Sequence, residues 1–429
     1  MEEIKFALDT FYAIMAGALV MRMAAGFTML EAGLVQKKDV SEIVTKNLGL
    51  YSIACIMYLV CGFMLMYPSG GAFGGVLEGY LPAIGTSLGL STGLPNEEIG
   101  MPYGMDYSQQ ADFFFQVVFV ATAMSIVSGA VAGRMKLLPF FLFAIVLTGF
   151  IYPIQGYWNW GGGFLSSNGY SDYAGSGTVH LCGAAAALAV VTALGPRKGK
   201  YSFDGTSMPM PGSNIPMAAL GAWILWLGWF GFNGGSELIV SDEASAIAVS
   251  QVFLNTNMAA AGGVVAAMLT SLYMTGKMDV TMAINGAIAG LVAITAGPSA
   301  PTGGAAVLIG AAGGVLVYFS ILFLDKNLKI DDPVGAISAH GVVGILGIMV
   351  VPFTSDASFG MQALGAISIA GFTYVMSLLT IYVINMVMPI RATDEEQDMG
   401  LDVSEVGVEA YPEFKYCLLY TSDAADDCE

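Results

Sequence analysis

The chain contains two histidines, His180 and His340, and both fall inside long apolar runs. An ionisable group in a membrane span is costly near the bilayer centre and is rare outside functional sites. The two are led by the same spacing. Asp172-Tyr-Ala-Gly-Ser-Gly-Thr-Val-His180 and Asp332-Pro-Val-Gly-Ala-Ile-Ser-Ala-His340 each place an Asp eight residues ahead of the His. Eight residues of helix span roughly 12 Å, so two such segments entering from opposite faces bring both imidazoles to mid-membrane. Each ring nitrogen donates or accepts a hydrogen bond. An imidazole pair therefore suits a path for a small hydrogen-bonding solute, can share a proton and titrates as one coupled unit. Asp172 stands just ahead of its helix, beside Trp158-Asn-Trp160. A carboxylate there accepts backbone N–H bonds as an N-cap and also lowers the free energy of an approaching cation. Phe115 and Phe119, four residues apart, share one helix face, and Phe230 and Phe232 lie in Trp229-Phe-Gly-Phe-Asn233. Aromatic faces turned toward a pore would each hold a small cation by about 0.5–2 kcal/mol, although packing is the commoner role of such pairs. Arg22, Glu31 and Lys46 also fall within apolar spans. The five cysteines show no zinc-type spacing, and no metal or cofactor is expected.

The elements that position these residues must be membrane helices. Hydrophobic residues make up 56% of the 429 and charged residues 11%, against about 25% charged in soluble domains, so the apolar content cannot be wrapped in a polar surface. Apolar spans run at about 8–33, 43–67, 111–133, 138–157, 175–195, 215–237, 246–275, 280–297, 303–325, 335–353 and 360–390. Several reach the roughly 20 residues needed to cross a bilayer core. The odd-numbered gaps between spans carry Lys37/Lys38, Arg134/Lys136, Arg197/Lys198/Lys200, Lys277 and Lys326/Lys329, and the even-numbered gaps carry no Lys or Arg. Positive charge marks the cytoplasmic side, so the N-terminus is expected outside and the C-terminus inside. The spans that carry His180 and His340 then enter from opposite faces. The expected fold is an all-α polytopic membrane protein of eleven transmembrane helices, two inverted five-helix repeats (about 8–195 and 215–353) and a last helix (about 360–390). Inverted repeats of this kind place a transport site near the midplane. The net charge of −18 is mostly local: residues 391–429 hold twelve acids and two bases, so this is an acidic tail, with no basic surface for nucleic acid.

Taken together, the motifs resemble those of the ammonium transporters, the Amt family of the Amt/Mep/Rh superfamily. The resemblance is carried by Gly26-Phe-Thr-Met-Leu-Glu-Ala-Gly33, Asp172…His180 and Leu227-Gly-Trp-Phe-Gly-Phe-Asn-Gly-Gly-Ser236. Asn285-Gly-Ala-Ile-Ala-Gly-Leu-Val-Ala-Ile-Thr-Ala-Gly297, Asp331-Asp-Pro…His340-Gly and the tail Asp394-Glu-Glu…Gly400-Leu-Asp…Ala410-Tyr complete it, in order from about 8 to 414. It implies a homotrimer with one pore per subunit, in a plasma or inner membrane, with ammonium or methylammonium as substrate and no enzymatic step. It implies an outer cation site at Phe119, Trp160 and Ser236, with Asp172 as the acid that stabilises the incoming cation. Phe119 and Phe232 become a phenyl gate with Phe115 beside it, and His180 and His340 become the twin-histidine pore. A PII-type regulatory protein is the implied partner at the cytoplasmic face.

On this reading residues 1–390 form the transporter domain in the lipid bilayer, 391–414 a cytoplasmic regulatory tail, and 415–429 a non-native or disordered end. The sequence departs from the family pattern at Asp39 (usually Asn), Gly133 (commonly Glu), Ser176 (often Gly) and Val406 (usually His). Two rival readings stand beside transport. One is an ammonium sensor with little flux on the same fold. The other is a membrane redox protein with both histidines on a haem, which the small residues flanking the histidines disfavour because a macrocycle needs room.

Overall fold

The computed structural model describes residues 1–68, 80 and 107–413. Most of the loop at 68–110 and the segment 415–429 lie outside the described residues. Among the described residues the fold is entirely helical apart from two isolated bridges, Met135 with Arg391 and Tyr201 with Ser207. Among the described residues nine helices are long and apolar enough to cross a membrane: α1 (Glu2–Leu34), α2 (Lys37–Met66), α3 (Gln109–Val131), α4 (Leu137–Ser167), α5 (Ser176–Leu194), α6 (Ile215–Gly235), α7 (Glu243–Thr275), α9 (Gly303–Lys326) and α11 (Phe359–Val387). Two shorter apolar helices, α8 (Val280–Thr295) and α10 (Ile337–Phe353), occupy the places expected for the spans at 280–297 and 335–353. Helices are the natural outcome, because each satisfies its backbone polar groups internally where no water is available. Their starts carry side-chain caps: Asn214, Asp242, Asp279 and Thr302 accept N–H bonds at the heads of α6, α7, α8 and α9.

Small residues set how closely these helices approach. A Cβ on Gly221 of α6 would fall 2.3 Å from the Leu30 nitrogen of α1, and one on Gly310 of α9 would fall 1.9 Å from the Ala259 oxygen of α7. No side chain fits at either place, which is the backbone contact that small residues permit between membrane helices.

At the end of the bundle that bears the basic loops, a buried polar knot ties three segments together. Arg134 donates to the carbonyls of Ala132, Gly195 and Asp331. The guanidinium of Arg197 forks onto the Asp331 carboxylate at 2.9 and 2.8 Å, and the Arg197 backbone N–H adds a third bond at 2.8 Å. The tail returns to this same end. Its short helix α12 (Asp394–Met399) begins in a capping box of Thr393 and Glu396. Glu396 pairs with Lys136 at 2.7 Å, the Asp402 carboxylate accepts from the Glu42 backbone, and the Asp39 carboxylate accepts from Leu401. Two departures from the family pattern meet here. Gly133 has a left-handed φ of +72°, and a Cβ on it would sit 3.2 Å from the Asp39 carboxylate.

Burial alone would raise the Asp331 carboxyl, but the Arg197 bonds and the charge of Arg134 hold it well below the usual carboxylate range. A folded pKa below the unfolded value stabilises above the unfolded pKa and is lost as pH falls through the folded one. Asp331→Asn should therefore cost about 3–5 kcal/mol at neutral pH, the scale for breaking a buried pair. The gap in thermal unfolding midpoint between variant and wild type should hold steady from about pH 8 to about pH 5 and close only in stronger acid.

Candidate functional site

His180 and His340 sit at the starts of α5 and α10, and both starts are wound as π turns, Ser176–Leu181 and Ile337–Val342. The His180 N–H reaches back five residues to the Gly175 carbonyl at 3.0 Å. Such wide turns are rare and concentrate at functional sites. Each follows a glycine in the left-handed region, Gly175 at φ +111° and Gly335 at φ +78°, where a side chain would be strained.

The carboxylates of Asp172 and Asp332 organise the two turns alike. Asp172 accepts from the backbone N–H groups of Gly175 at 3.2 Å, Gly177 at 2.9 Å and Thr178 at 2.8 Å. Asp332 accepts from Val334 at 3.4 Å, Gly335 at 3.0 Å and Ile337 at 2.7 Å. Residues three and five beyond the Asp donate in both. The repeat expected from the Asp–His spacing is thus present in the hydrogen bonding, and Asp332, which sequence reasoning left out of the site, is the counterpart of Asp172. Asp172 alone also accepts from two hydroxyls, Thr178 Oγ1 at 3.0 Å and Tyr170 at 3.4 Å.

The helices α5 and α10 run antiparallel. Asp331, ahead of α10, binds Arg197 beyond the end of α5, while Gln362 beyond α10 donates to both Ser171 and Ile348. Entering from opposite ends, the histidines meet with Nδ1 of His340 3.2 Å from Nδ1 of His180. One nitrogen donates and the other accepts, so one proton is shared across this contact. Both rings are buried, and Nε2 of His180 has no hydrogen-bond partner among the described residues.

The aromatic residues extend the pair into a column. The Trp160 ring stands edge-on to Phe119 with centroids 6.0 Å apart, and Phe119 stacks on Phe232 at 4.0 Å. Phe232 stacks on His180 at 5.3 Å, His180 on His340 at 5.1 Å, and His340 faces Phe27 at 6.1 Å. Phe115 braces Phe119 from the side at 4.8 Å. The Trp160 indole N–H donates to the Asp172 carbonyl at 3.1 Å, so the cap that starts α5 also holds the outermost ring. Ser236 caps α6 one turn beyond Phe232 and donates to the Phe232 carbonyl at 2.9 Å. Its proton is thereby engaged, and its lone pairs are left to accept from a donor.

Phe230 lies outside the column and stacks on Phe253 at 5.1 Å. Trp229 belongs to it: its ring stacks on His180 at 4.9 Å, and its N–H donates to Thr295 at 2.8 Å. Trp229 and Phe232, three residues apart, share a helix face, which is the signal that would have found Trp229. Phe27 could have been found only through its place in the Gly26–Gly33 motif.

A family model described as Ammonium Transporter Family matches residues 11–411. The chain belongs to the ammonium transporter family. Members of this family are transporters, not enzymes, so the chain is a multi-pass helical membrane protein of that kind. It is 37% identical to the ammonium transporter Amt2 of Archaeoglobus fulgidus over 96% of this chain and 90% of that one. It is 35% identical to a putative ammonium transporter of Synechocystis over 94% of this chain and 89% of that one. Among solved structures it resembles a protein titled Sensor Amt Protein, with a TM-score of 0.85 and 34% identity over 95% of this chain and all of the other. It also resembles Mep2 of Candida albicans, with a TM-score of 0.81 and 26% identity over 96% and 92% of the two chains.

The matched caps predict a discriminating pair of variants. Asp172→Asn and Asp332→Asn each turn an accepting oxygen into a donor facing backbone N–H groups, at about 1–3 kcal/mol for a buried bond left unmade. Both should lower the thermal midpoint by similar amounts. Methylammonium uptake per folded molecule should fall markedly for Asp172→Asn alone, because only Asp172 is tied to Trp160, through its backbone carbonyl.

Proposed function

We propose that this chain carries ammonium inward by capturing the cation at Trp160, Phe119 and Ser236, removing its proton near the phenyl gate and conducting ammonia past His180 and His340. The observation that supports this most directly is the unbroken column Trp160–Phe119–Phe232–His180–His340, with centroids 4.0 to 6.0 Å apart. At its head, aromatic faces and the Ser236 lone pairs suit a small cation with several N–H donors. The Asp172 carboxylate, on the residue whose carbonyl holds Trp160, would add an attractive charge near this end. Phe119 and Phe232 are both almost fully buried and stacked, so one ring swings aside for each passage.

Past the gate the walls are apolar, and an unhydrated cation there would lose its solvation without an equivalent return. Ammonia is neutral, and beside the histidine pair imidazole nitrogens would replace water as its hydrogen-bond partners. The Trp160 end faces outward in this reading, and the end bearing Lys38, Lys136, Arg197 and the tail faces the cytoplasm of a plasma or inner membrane. Three copies would assemble as a homotrimer, and a PII-type protein would dock on the cytoplasmic loops and tail. A sensor with little flux is the competing reading, favoured by the likeness to the structure titled Sensor Amt Protein.

Replacing both His180 and His340 by Ala should lower methylammonium uptake by about tenfold or more, which corresponds to about 1.4 kcal/mol in the barrier. Uptake and selectivity equal to wild type would remove the histidine pair from the path.

A further inference from the structure

On the far side of His340 from the gate lies a small cavity of ≈ 10 Å³, walled in part by Phe27, Leu30, Glu31, Ser125, Asn285 and His340. That is room for about one water-sized molecule, and Glu31 and His340 are the titratable groups in its wall. Glu31 is 1% exposed. Its Oε2 accepts from Ser128 Oγ at 2.6 Å and from Asn47 Nδ2 at 3.2 Å. Its Oε1 is buried with no hydrogen-bond partner among the described residues.

The nearest cation is already engaged. Lys46 pairs with Glu42 at 3.3 Å, both side chains almost fully buried, and its ammonium lies 5.5 Å from the centre of the Phe140 ring. The cluster therefore holds two carboxyls and one ammonium. A carboxylate buried without a counter-ion is costly, and the cost is removed by a proton on Oε1 or by a cation beside it. The two donors on Oε2 hold the carboxyl in place for either.

We infer that Glu31 is the proton donor that converts ammonia back to ammonium on the tail side of the histidine pair. The inference rests on the twin-histidine reading given above. Ammonia leaving His340 enters the cavity beside Glu31. The Oε1–H bond breaks as a fourth N–H bond forms, leaving a carboxylate against an ammonium ion, and the ammonium departs toward the basic loops. The proton that ammonium lost at the Trp160 end, handed through the imidazole pair, restores Oε1–H. Each cycle then moves one positive charge. The groups that set the pH response of this step are Glu31 itself, His340 across the cavity, and the Lys46–Glu42 pair behind it.

The test uses the full chain in proteoliposomes, with ammonium-triggered current recorded across a pH series. Glu31→Gln keeps an oxygen to accept from Ser128 and Asn47 but cannot donate and regain the proton. Its current should fall about a hundredfold, the lower end of what a positioned acid–base group contributes. Glu31→Asp should retain current with a displaced pH profile, a change that a purely structural carboxyl would not produce. Should Glu31→Gln not yield stable protein, the Asp variant decides: a displaced profile supports the role, and a wild-type profile overturns it. Failure of both variants to fold assigns Glu31 to structure and overturns it as well. A wild-type current in Glu31→Gln, with current lost in the double histidine variant, overturns the Glu31 role and leaves the pore reading standing. Wild-type current in both sets overturns the pore reading itself.

Discussion

Two helices in this bundle begin below the level where water can satisfy their first N–H groups, and two aspartates supply what the solvent cannot. A helix start leaves several backbone donors unpaired, and in an apolar setting each one is expensive. Asp172 and Asp332 gather these donors at matching positions, three and five residues on, and so allow Ser176 and Ile337 to open wide turns inside the protein. The turns aim His180 and His340 inward from opposite ends, and the antiparallel course of α5 and α10 brings the rings to 3.2 Å. The carbonyl of Asp172 then fixes Trp160, so one residue sets both the head and the middle of the column.

The column answers an energetic problem with two chemistries. Aromatic faces and hydroxyl lone pairs favour a cation, whereas a narrow apolar slot rejects one. The division falls between Phe232 and His180, whose rings are 5.3 Å apart. In the proposed mechanism a cation is attracted as far as that boundary and a neutral base continues beyond it. The step proposed for Glu31 extends this division: the solute would lack its proton only along the histidine pair, with an acid at the far end. A proton shared between the two Nδ1 atoms joins the two ends of that sequence of events.

Much of this was legible from residue order. Two histidines at matched spacing from aspartates marked the inverted pair, and the alternation of loop charge implied their opposite entry. The helices appeared where apolar runs and Gly/Pro breaks placed them. What was hidden was tertiary. Phe230 and Phe232 are two residues apart and so lie on different faces of α6; spacing left both as candidates, only the family resemblance pointed to Phe232, and the packing of Phe119 and His180 against it shows why. Glu31 appeared as one more buried charge, because its neighbours Asn47 and Ser128 come from α2 and α3. Asp39 and Gly133 looked like separate departures, and only the fold shows that they touch, the carboxylate of one filling the space beside the other's missing side chain. Arg22 remains exposed on the outer face of α1, beside Tyr51 in a groove of ≈ 470 Å³, and nothing in the column explains it.

On the proposed function the column passes solute and charge, as opposed to merely binding ammonium. Current on a solid-supported membrane, with the purified wild-type chain in liposomes, addresses it directly. A conducting column gives an ammonium-triggered current that grows with inward potential and saturates with ammonium. Intact protein that binds ammonium and gives no current at any potential would overturn charge movement; if it also takes up no methylammonium, it is a sensor on a transporter's frame.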